Sequence, residues 1–285
     1  SPFKLYKDEH QFELQQVDLR WRNTCNFACV YCDKTFSSVW AQFDGQPDKM
    51  TNEAMQETFE FVKKNIDNLQ TIYMAGGEPF LIKENLQIID LIAEKRPGLL
   101  LRINTNLSIL NPKIYNKLKN LPNVHWIVSA ESTGNKFNYI RWPGNYNVLV
   151  NNLKKIQLLP HKITINMTWN LLCVANILEF IDDMMSNGIH PNQFVMNFVS
   201  NPIEQSVLNI TKERRDALIL DIMDRKANTN KKFLLYKVYE EMLDILNQPL
   251  LDTNKTALYN TLKDLDLKRK LNSKEVFPEL YKEEI

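Results

Sequence analysis

The sequence predicts an α/β fold, a parallel sheet covered by helices, on three observations. Short apolar runs rich in β-branched residues alternate with segments of helical period, six times or nearly so, between residues 12 and 199. The connections are short, and strands joined through helices pack compactly only as a parallel sheet. The composition is that of an ordinary globular chain: 285 residues, 44% hydrophobic and 24% charged, with ample material for a core. An open doubly wound sheet and a barrel, whole or partial, both satisfy that alternation.

The elements follow in order. Phe12 to Trp21 sets Leu14, Val17, Leu19 and Trp21 in alternation with one slip and reads as the first strand. Thr35 to Met50 holds Gly45 and Pro47 and reads as loop. Thr51 is an N-cap residue before Met55, Phe59, Val62 and Ile66 at helical spacing. Strands are expected at Thr71 to Ala75, Leu99 to Asn104, Val124 to Ser129, Ile163 to Trp169 and Gln193 to Val199. Helices are expected at Glu84 to Glu94, Pro112 to Lys119, Val148 to Leu158 and Ile177 to Ser186. From Thr211 onward, Leu218, Ile222, Leu234, Val238, Leu243 and Leu246 recur at helical spacing among many lysines, which predicts two to four amphipathic helices.

Charge narrows the partners. Lys and Arg number 35 against 34 Asp and Glu, a net charge of +1, which supplies no field for a polyanion and argues against a general nucleic-acid binder. No apolar run approaches a membrane span, and the initial Ser-Pro-Phe lacks a charged and apolar leader.

Three of the four cysteines, Cys25, Cys29 and Cys32, fall within eight residues directly after the first strand. Three close thiolates indicate a metal site. Structural zinc takes four ligands, and no second cysteine pair or His-x-x-x-His lies nearby to complete such a set. Soft thiolates suit an iron–sulfur cluster equally well, and four irons on three cysteines leave one iron open to an outside ligand. Spacing alone leaves both open. Cysteines so clustered make no disulfide framework and require reduced thiols, which implies a cytoplasmic setting.

Cys25-x-x-x-Cys29-x-Tyr31-Cys32 resembles the cluster loop of radical S-adenosylmethionine (SAM) enzymes. The resemblance implies a [4Fe-4S] cluster on the three cysteines, with SAM chelating the free iron through its amino and carboxylate groups. An electron from a flavodoxin- or ferredoxin-type donor then cleaves SAM to a 5′-deoxyadenosyl radical that takes hydrogen from the substrate. It also selects the architecture: a partial (β/α)6 TIM-like barrel over residues 1–205, active at the C-terminal ends of its strands, and a helical extension over 206–285.

Gly76-Gly77-Glu78-Pro79, after the second strand, permits a sharp turn and a close backbone approach, and resembles the family motif that binds the SAM amino group. Ser129-Ala-Glu-Ser-Thr-Gly followed by Tyr139-Ile140-Arg141 resembles the Ser-x-Asp-Gly and Ile-Arg elements of SPASM and twitch members, in which serine and arginine hold the SAM carboxylate. Glu131 and Ser132 depart from that pattern, Glu131 standing in the cofactor site where the family has aspartate, and no cysteine follows Cys173, so no auxiliary cluster is expected. Tyr31 is assigned to the adenine, Asn104 and Asn166 to the ribose or methionine, and Asn197 is placed with them.

Strand alternation in such a barrel turns Arg102, Asn104, Asn106, His125, Ser129, Glu131, Thr164, Asn166, Thr168 and Asn197 inward. Arg20, Arg22 and Arg102 are candidates for binding an anionic substrate. Cys173, just past the fifth strand, is a candidate hydrogen donor to a substrate radical. Trp40 is a candidate substrate contact, while His125 and His161 read as structural. The substrate expected is a peptide or small polar metabolite. A nucleoside or nucleotide is the alternative, and a non-catalytic metal-binding scaffold the rival of another class.

Overall fold

The computed structural model describes residues 14–44, 51–251 and 255–282. Elements follow the order β1 (Gln16–Leu19), α1 (Ser38–Asp44), α2 (Asn52–Asn65), β2 (Thr71–Met74), α3 (Lys83–Lys95), β3 (Leu100–Thr105), α4 (Pro112–Leu118) and β4 (Val124–Ser129). Then come α5 (Gly134–Ile140), α6 (Tyr146–Ile156), β5 (Lys162–Trp169), α7 (Ile177–Ser186) and β6 (Phe194–Phe198). The chain continues through α8 (Lys212–Ala227), α9 (Leu234–Leu246), α10 (Lys255–Arg269), α11 (Ser273–Val276) and α12 (Pro278–Tyr281).

Among the described residues six strands run parallel in sequential order, with β1 and β6 as the two edges of an incomplete barrel. Alternation decides which face is packed. Ile72 and Met74, Leu101 and Ile103, Trp126 and Val128, Ile163, Ile165 and Met167 are buried in one core with Val62, Ile88, Ile92, Leu118, Leu153 and Ile181 of the covering helices. The opposite, lumen face carries Tyr73, Arg102, Asn104, His125, Ser129, Asn166 and Asn197, all partly or fully exposed. Helix starts follow their caps: Thr51 accepts from the Ala54 amide at 3.2 Å, Asn111 from Ile114 at 3.0 Å and Asn145 from Asn147 at 3.0 Å.

Three expectations are corrected. The first strand is shorter: pairing with β2 covers only Gln16–Leu19, while Trp21 leaves the ladder to donate its indole N–H to Asn85 at 2.6 Å, and Phe12 lies outside the described residues. Within Thr35 to Met50, residues 38–44 are helical because Ser37 Oγ accepts the Trp40 amide at 3.3 Å and starts α1; residues 45–50 lie outside the described residues. Among the described residues the C-terminal region holds five helices, two of them single turns, the second opened by Pro278 at its first position. Of these, α9 lies against β6, α10 against the turn Ile203–Gln205, and α11 against α5.

Candidate cofactor and substrate site

The loop from Asn23 to Cys32 leaves β1 at the C-terminal end of the sheet, and its backbone is held from several sides. Its Thr24 carbonyl accepts the Glu78 amide at 2.8 Å, and Asn23 O accepts the Ser38 amide at 2.7 Å. The Phe27 carbonyl accepts Ser37 Oγ at 2.6 Å, and that of Cys29 accepts the Trp40 indole at 2.9 Å. Ala28 and Val30 donate to the carbonyls of Trp142 and Ile140 at 2.7 and 2.8 Å. Gln205 and Arg269 reach the carbonyls of Val30 and Ala28 at 2.9 and 2.6 Å. A loop so bound presents its side chains in one arrangement.

Cys25, Cys29 and Cys32 are free thiols and partly exposed. Burial pushes Cys25 and Cys32 up to about 12 and raises Cys29 as well, so a metal group has to displace protons as it binds. The Phe27 amide donates to Cys25 Sγ at 3.4 Å, a bond that favours sulfur as thiolate. Among the described residues no three His, Cys, Asp or Glu side chains are gathered closely enough to hold a single metal ion. Three soft, unpaired sulfurs on a pinned loop fit a thiolate-bound cluster.

The Gly76-Gly77 turn packs directly on this loop. Gly77 has φ +52°, and a Cβ there would meet the Thr24 carbonyl oxygen at 2.2 Å, so only glycine permits the contact. Glu78 is fully buried. Its Oε1 accepts from Thr105 Oγ1 at 2.8 Å and the Phe80 amide at 3.3 Å, and its Oε2 accepts from the Asn106 amide at 2.9 Å. Burial pushes the carboxyl up to about 7 against the pull of those donors. Both oxygens therefore tie the turn to the end of β3.

Arg141 and Glu131 form a buried pair, Nε to the two carboxylate oxygens at 3.1 and 3.0 Å and Nη2 to Oε2 at 2.5 Å. The Tyr31 hydroxyl donates to the same carboxylate at 3.2 Å, with the guanidinium 5.6 Å from its ring. Burial opposes charge on Arg141, yet Glu131 outweighs it and holds the guanidinium protonated. The fork assigned to the SAM carboxylate is thus closed on Glu131. Cys173 is fully buried, donating to the Asn170 carbonyl at 3.3 Å, and hydrogen donation to a substrate would require that turn to open.

The lumen pairs its polar residues more loosely. Ser129 Oγ donates to Asn104 at 3.1 Å, and Asn197 to Asn166 at 2.7 Å. Two residues nearer the N-terminal end of β3, Arg102 lies 5.2 Å from the Tyr73 ring, with Arg20 5.9 Å from the same ring. Arg20 is paired with Asp18 at 3.1 Å, whereas Arg102 has no carboxylate partner among the described residues. Arg22 is elsewhere, donating to Asn52 of α2 at 2.7 Å. His125 bonds Thr164 at 2.8 Å and is pushed down to about 4 by burial, then by Lys162 and Arg102, so it is neutral near pH 7. His161 joins the Trp126 indole to the Leu121 carbonyl.

Sequence reasoning missed α1, α5, Gln205 and Arg269 as parts of this site. Ser37-Ser38 ahead of an apolar pair was a readable helix start. Arg269, between two lysines in a lysine-rich tail, gave no signal.

A family model described as the Radical SAM superfamily matches residues 21–172, more than half of the chain. The GTP 3',8-cyclase of Campylobacter jejuni subsp. doylei is 32% identical over 100 residues, 35% of this chain and 29% of that protein. The probable GTP 3',8-cyclase of Methanocaldococcus jannaschii is 26% identical over 203 residues, 62% of this chain and 58% of that protein. Streptococcus suis SuiB bound to precursor peptide SuiA superposes with a TM-score of 0.55 at 17% identity, covering 81% of this chain and 52% of SuiB. Native anSMEcpe with bound AdoMet gives 0.54 at 12%, covering 75% and 61%. The chain spans less than two thirds of the length of each of these relatives. The cysteine loop, the glycine turn packed on it and the six-stranded partial barrel agree with the family match: the chain belongs to the radical SAM superfamily, enzymes that work with a [4Fe-4S] cluster and S-adenosylmethionine.

Proposed function

We propose that this enzyme reductively cleaves SAM at a single [4Fe-4S] cluster on Cys25, Cys29 and Cys32 and directs the radical to a small polar substrate carrying an anionic group. The observation behind that substrate class is Arg102, a lumen-facing guanidinium braced on Tyr73 with no carboxylate partner among the described residues. The relatives named GTP 3',8-cyclase support a nucleotide as the anion. A peptide is the second reading, supported by the likeness in fold to SuiB with its precursor peptide.

The cofactors supply the electron transfer and the 5′-deoxyadenosyl radical; the protein supplies position and exclusion of water. The backbone of Gly76 and Gly77 seats the SAM amino group, with Glu78 fixing the turn through its three donors. Ser129, beside Asn104, takes the carboxylate, and Arg141 backs that wall through Glu131, where Tyr31 lines the adenine side. Asn166 and Asn197 offer amide groups to the ribose or methionine. A flavodoxin- or ferredoxin-type protein delivers the electron. Thiolate ligands require reduced cysteines, which supports a reducing cytoplasm, and among the described residues no helix is long and apolar enough to cross a membrane.

The test is anaerobic. Protein reconstituted with iron and sulfide is given SAM and dithionite, and 5′-deoxyadenosine is quantified for wild type and Cys29→Ala. Formation by the wild type that falls to background in the variant is expected, with acceleration by nucleotides exceeding that by peptides. Uptake of zinc without iron would overturn the proposal, and acceleration by peptides alone would install the second reading.

A further inference from the structure

Helix α10 ends on a buried cation that forms no ion pair among the described residues. Arg269, its last residue, is 5% exposed. Its Nη2 donates to the Ala28 carbonyl at 2.6 Å and its Nη1 to the Tyr139 carbonyl at 3.2 Å. The guanidinium lies 5.5 Å from the rings of Trp40 and Trp142 and 5.9 Å from that of Tyr139. Its Nε is buried without a hydrogen-bond partner among the described residues. Asp266, one turn earlier, is engaged by the Tyr139 hydroxyl at 2.8 Å and by the amide and hydroxyl of Ser273 at 2.9 and 2.7 Å. Burial pulls Arg269 down to about 10, which leaves it charged at neutral pH.

A buried guanidinium that, among the described residues, donates to carbonyls, lies on ring faces and forms no ion pair is poorly compensated even with the field of Asp266 nearby, since removal of a charge from water costs several kcal/mol. Its surroundings say what completes it. Ala28 immediately precedes Cys29, and Trp40, on which the guanidinium lies, donates its indole to the Cys29 carbonyl at 2.9 Å. A [4Fe-4S] core on three thiolates carries net negative charge and gains one more on reduction, and nearby charge is one of the levers that set a cluster's potential. The planar fork of arginine meets two carbonyls and several ring faces together, which a lysine ammonium does not reproduce.

We infer that Arg269 is the counter-charge of the cluster: the C-terminal helices bring a buried positive charge behind the cysteine loop, where it holds the loop and favours the reduced state. The electron comes from the low-potential donor that any cleavage of SAM requires, and Arg269 is a positioning residue that neither gains nor loses a proton. The inference rests on the cluster and is independent of the substrate class.

The test compares Arg269→Gln, Arg269→Met and Arg269→Lys in the full chain. Iron and sulfide per chain, the potential of the reconstituted cluster by spectroelectrochemical titration, and thermal unfolding of the metal-free chain are measured. The neutral variants are expected to load the cluster yet reduce at lower potential, with at least a tenfold loss in the one-electron reduction constant, about 59 mV. Arg269→Lys should recover part of that shift, and the metal-free neutral variants should be at least as stable as the wild type, having lost an uncompensated charge. Full loading at wild-type potential in a neutral variant would overturn the inference. So would neutral variants that fail to fold without metal while Arg269→Lys folds, because the charge would then serve the bare fold. A zinc-loaded wild type would instead defeat the functional reading, which keeps the two failures distinct.

Discussion

The two ends of the site are built on different principles. At the cofactor end, the backbone of the Asn23–Cys32 loop is bound by α1, the Gly76-Gly77 turn, the Ile140–Trp142 segment, Gln205 and the end of α10. In the lumen, Asn104 with Ser129 and Asn166 with Asn197 bond in pairs, and Arg102 rests on one ring. Long-range bonds to the backbone of the loop fix its path whatever side chains the loop itself carries, whereas strand register fixes only which side chains face inward. The first end is therefore committed to one chemistry, and the second can change its ligand without changing the fold.

The sharpest way to break that contrast is Gly77→Ala. The new Cβ would meet a carbonyl oxygen, an atom of the loop backbone itself, from a residue at φ +52°. A loss of about 3 kcal/mol or more is expected from strain and clash together. Urea unfolding and iron content measure it, with less cluster taken up even where the chain folds. At Gly76, with φ +78°, the corresponding atom would meet the Arg20 Cβ at 3.2 Å and its Cα at 3.4 Å, so backbone strain remains but the contact is milder than the 2.2 Å clash at Gly77. Equal and small losses at both positions would mean that the turn does not brace the loop.

Glu78 sharpens the contrast through pH. Burial raises its carboxyl to about 7 from an ordinary 4.5, so between those values the native state holds a proton that the unfolded chain has released. Stability consequently falls as pH rises through that window and levels off above about 7, a total of about 3 kcal/mol. Glu78→Gln removes the ionisation. Unfolding free energies of wild type and variant, measured between about pH 5 and about pH 8, should converge in slope only above pH 7. A variant that keeps the wild-type slope below pH 7 would place that proton elsewhere.

What the sequence made legible was the part governed by local rules. The strand Val124–Ser129 and helix Ile177–Ser186 appear within their expected bounds, because period and caps are written in consecutive residues. Family membership was legible from two short motifs. The closure of Arg141 on Glu131, the engagement of both Glu78 oxygens and the burial of Cys173 were not, since each depends on partners brought in by the fold. Arg22 illustrates the same limit: two residues from Arg20 and expected beside it, it turns to Asn52 because α2 passes there. Arg269 is the extreme case, a residue of the C-terminal region whose hydrogen-bond acceptor, Ala28, lies near the start of the chain.

The smallest effect on the fold is expected in the lumen. Arg102 is partly exposed and has no ion pair to lose among the described residues, so Arg102→Gln should change unfolding free energy by no more than about 0.5 kcal/mol. Iron content and SAM cleavage in the absence of substrate should match the wild type. Binding of an anionic probe should not: with GTP and inorganic pyrophosphate as probes in calorimetry, the variant should lose about tenfold in affinity or more, the scale of one charge-assisted contact. Arg22→Gln should leave probe binding intact, since its guanidinium is spent on α2. Unchanged binding in Arg102→Gln would remove the anion from the substrate's description and shift the weight to a neutral peptide. A variant unable to load its cluster would show instead that the lumen and the cysteine loop are one cooperative structure, and the division between the two ends would fail.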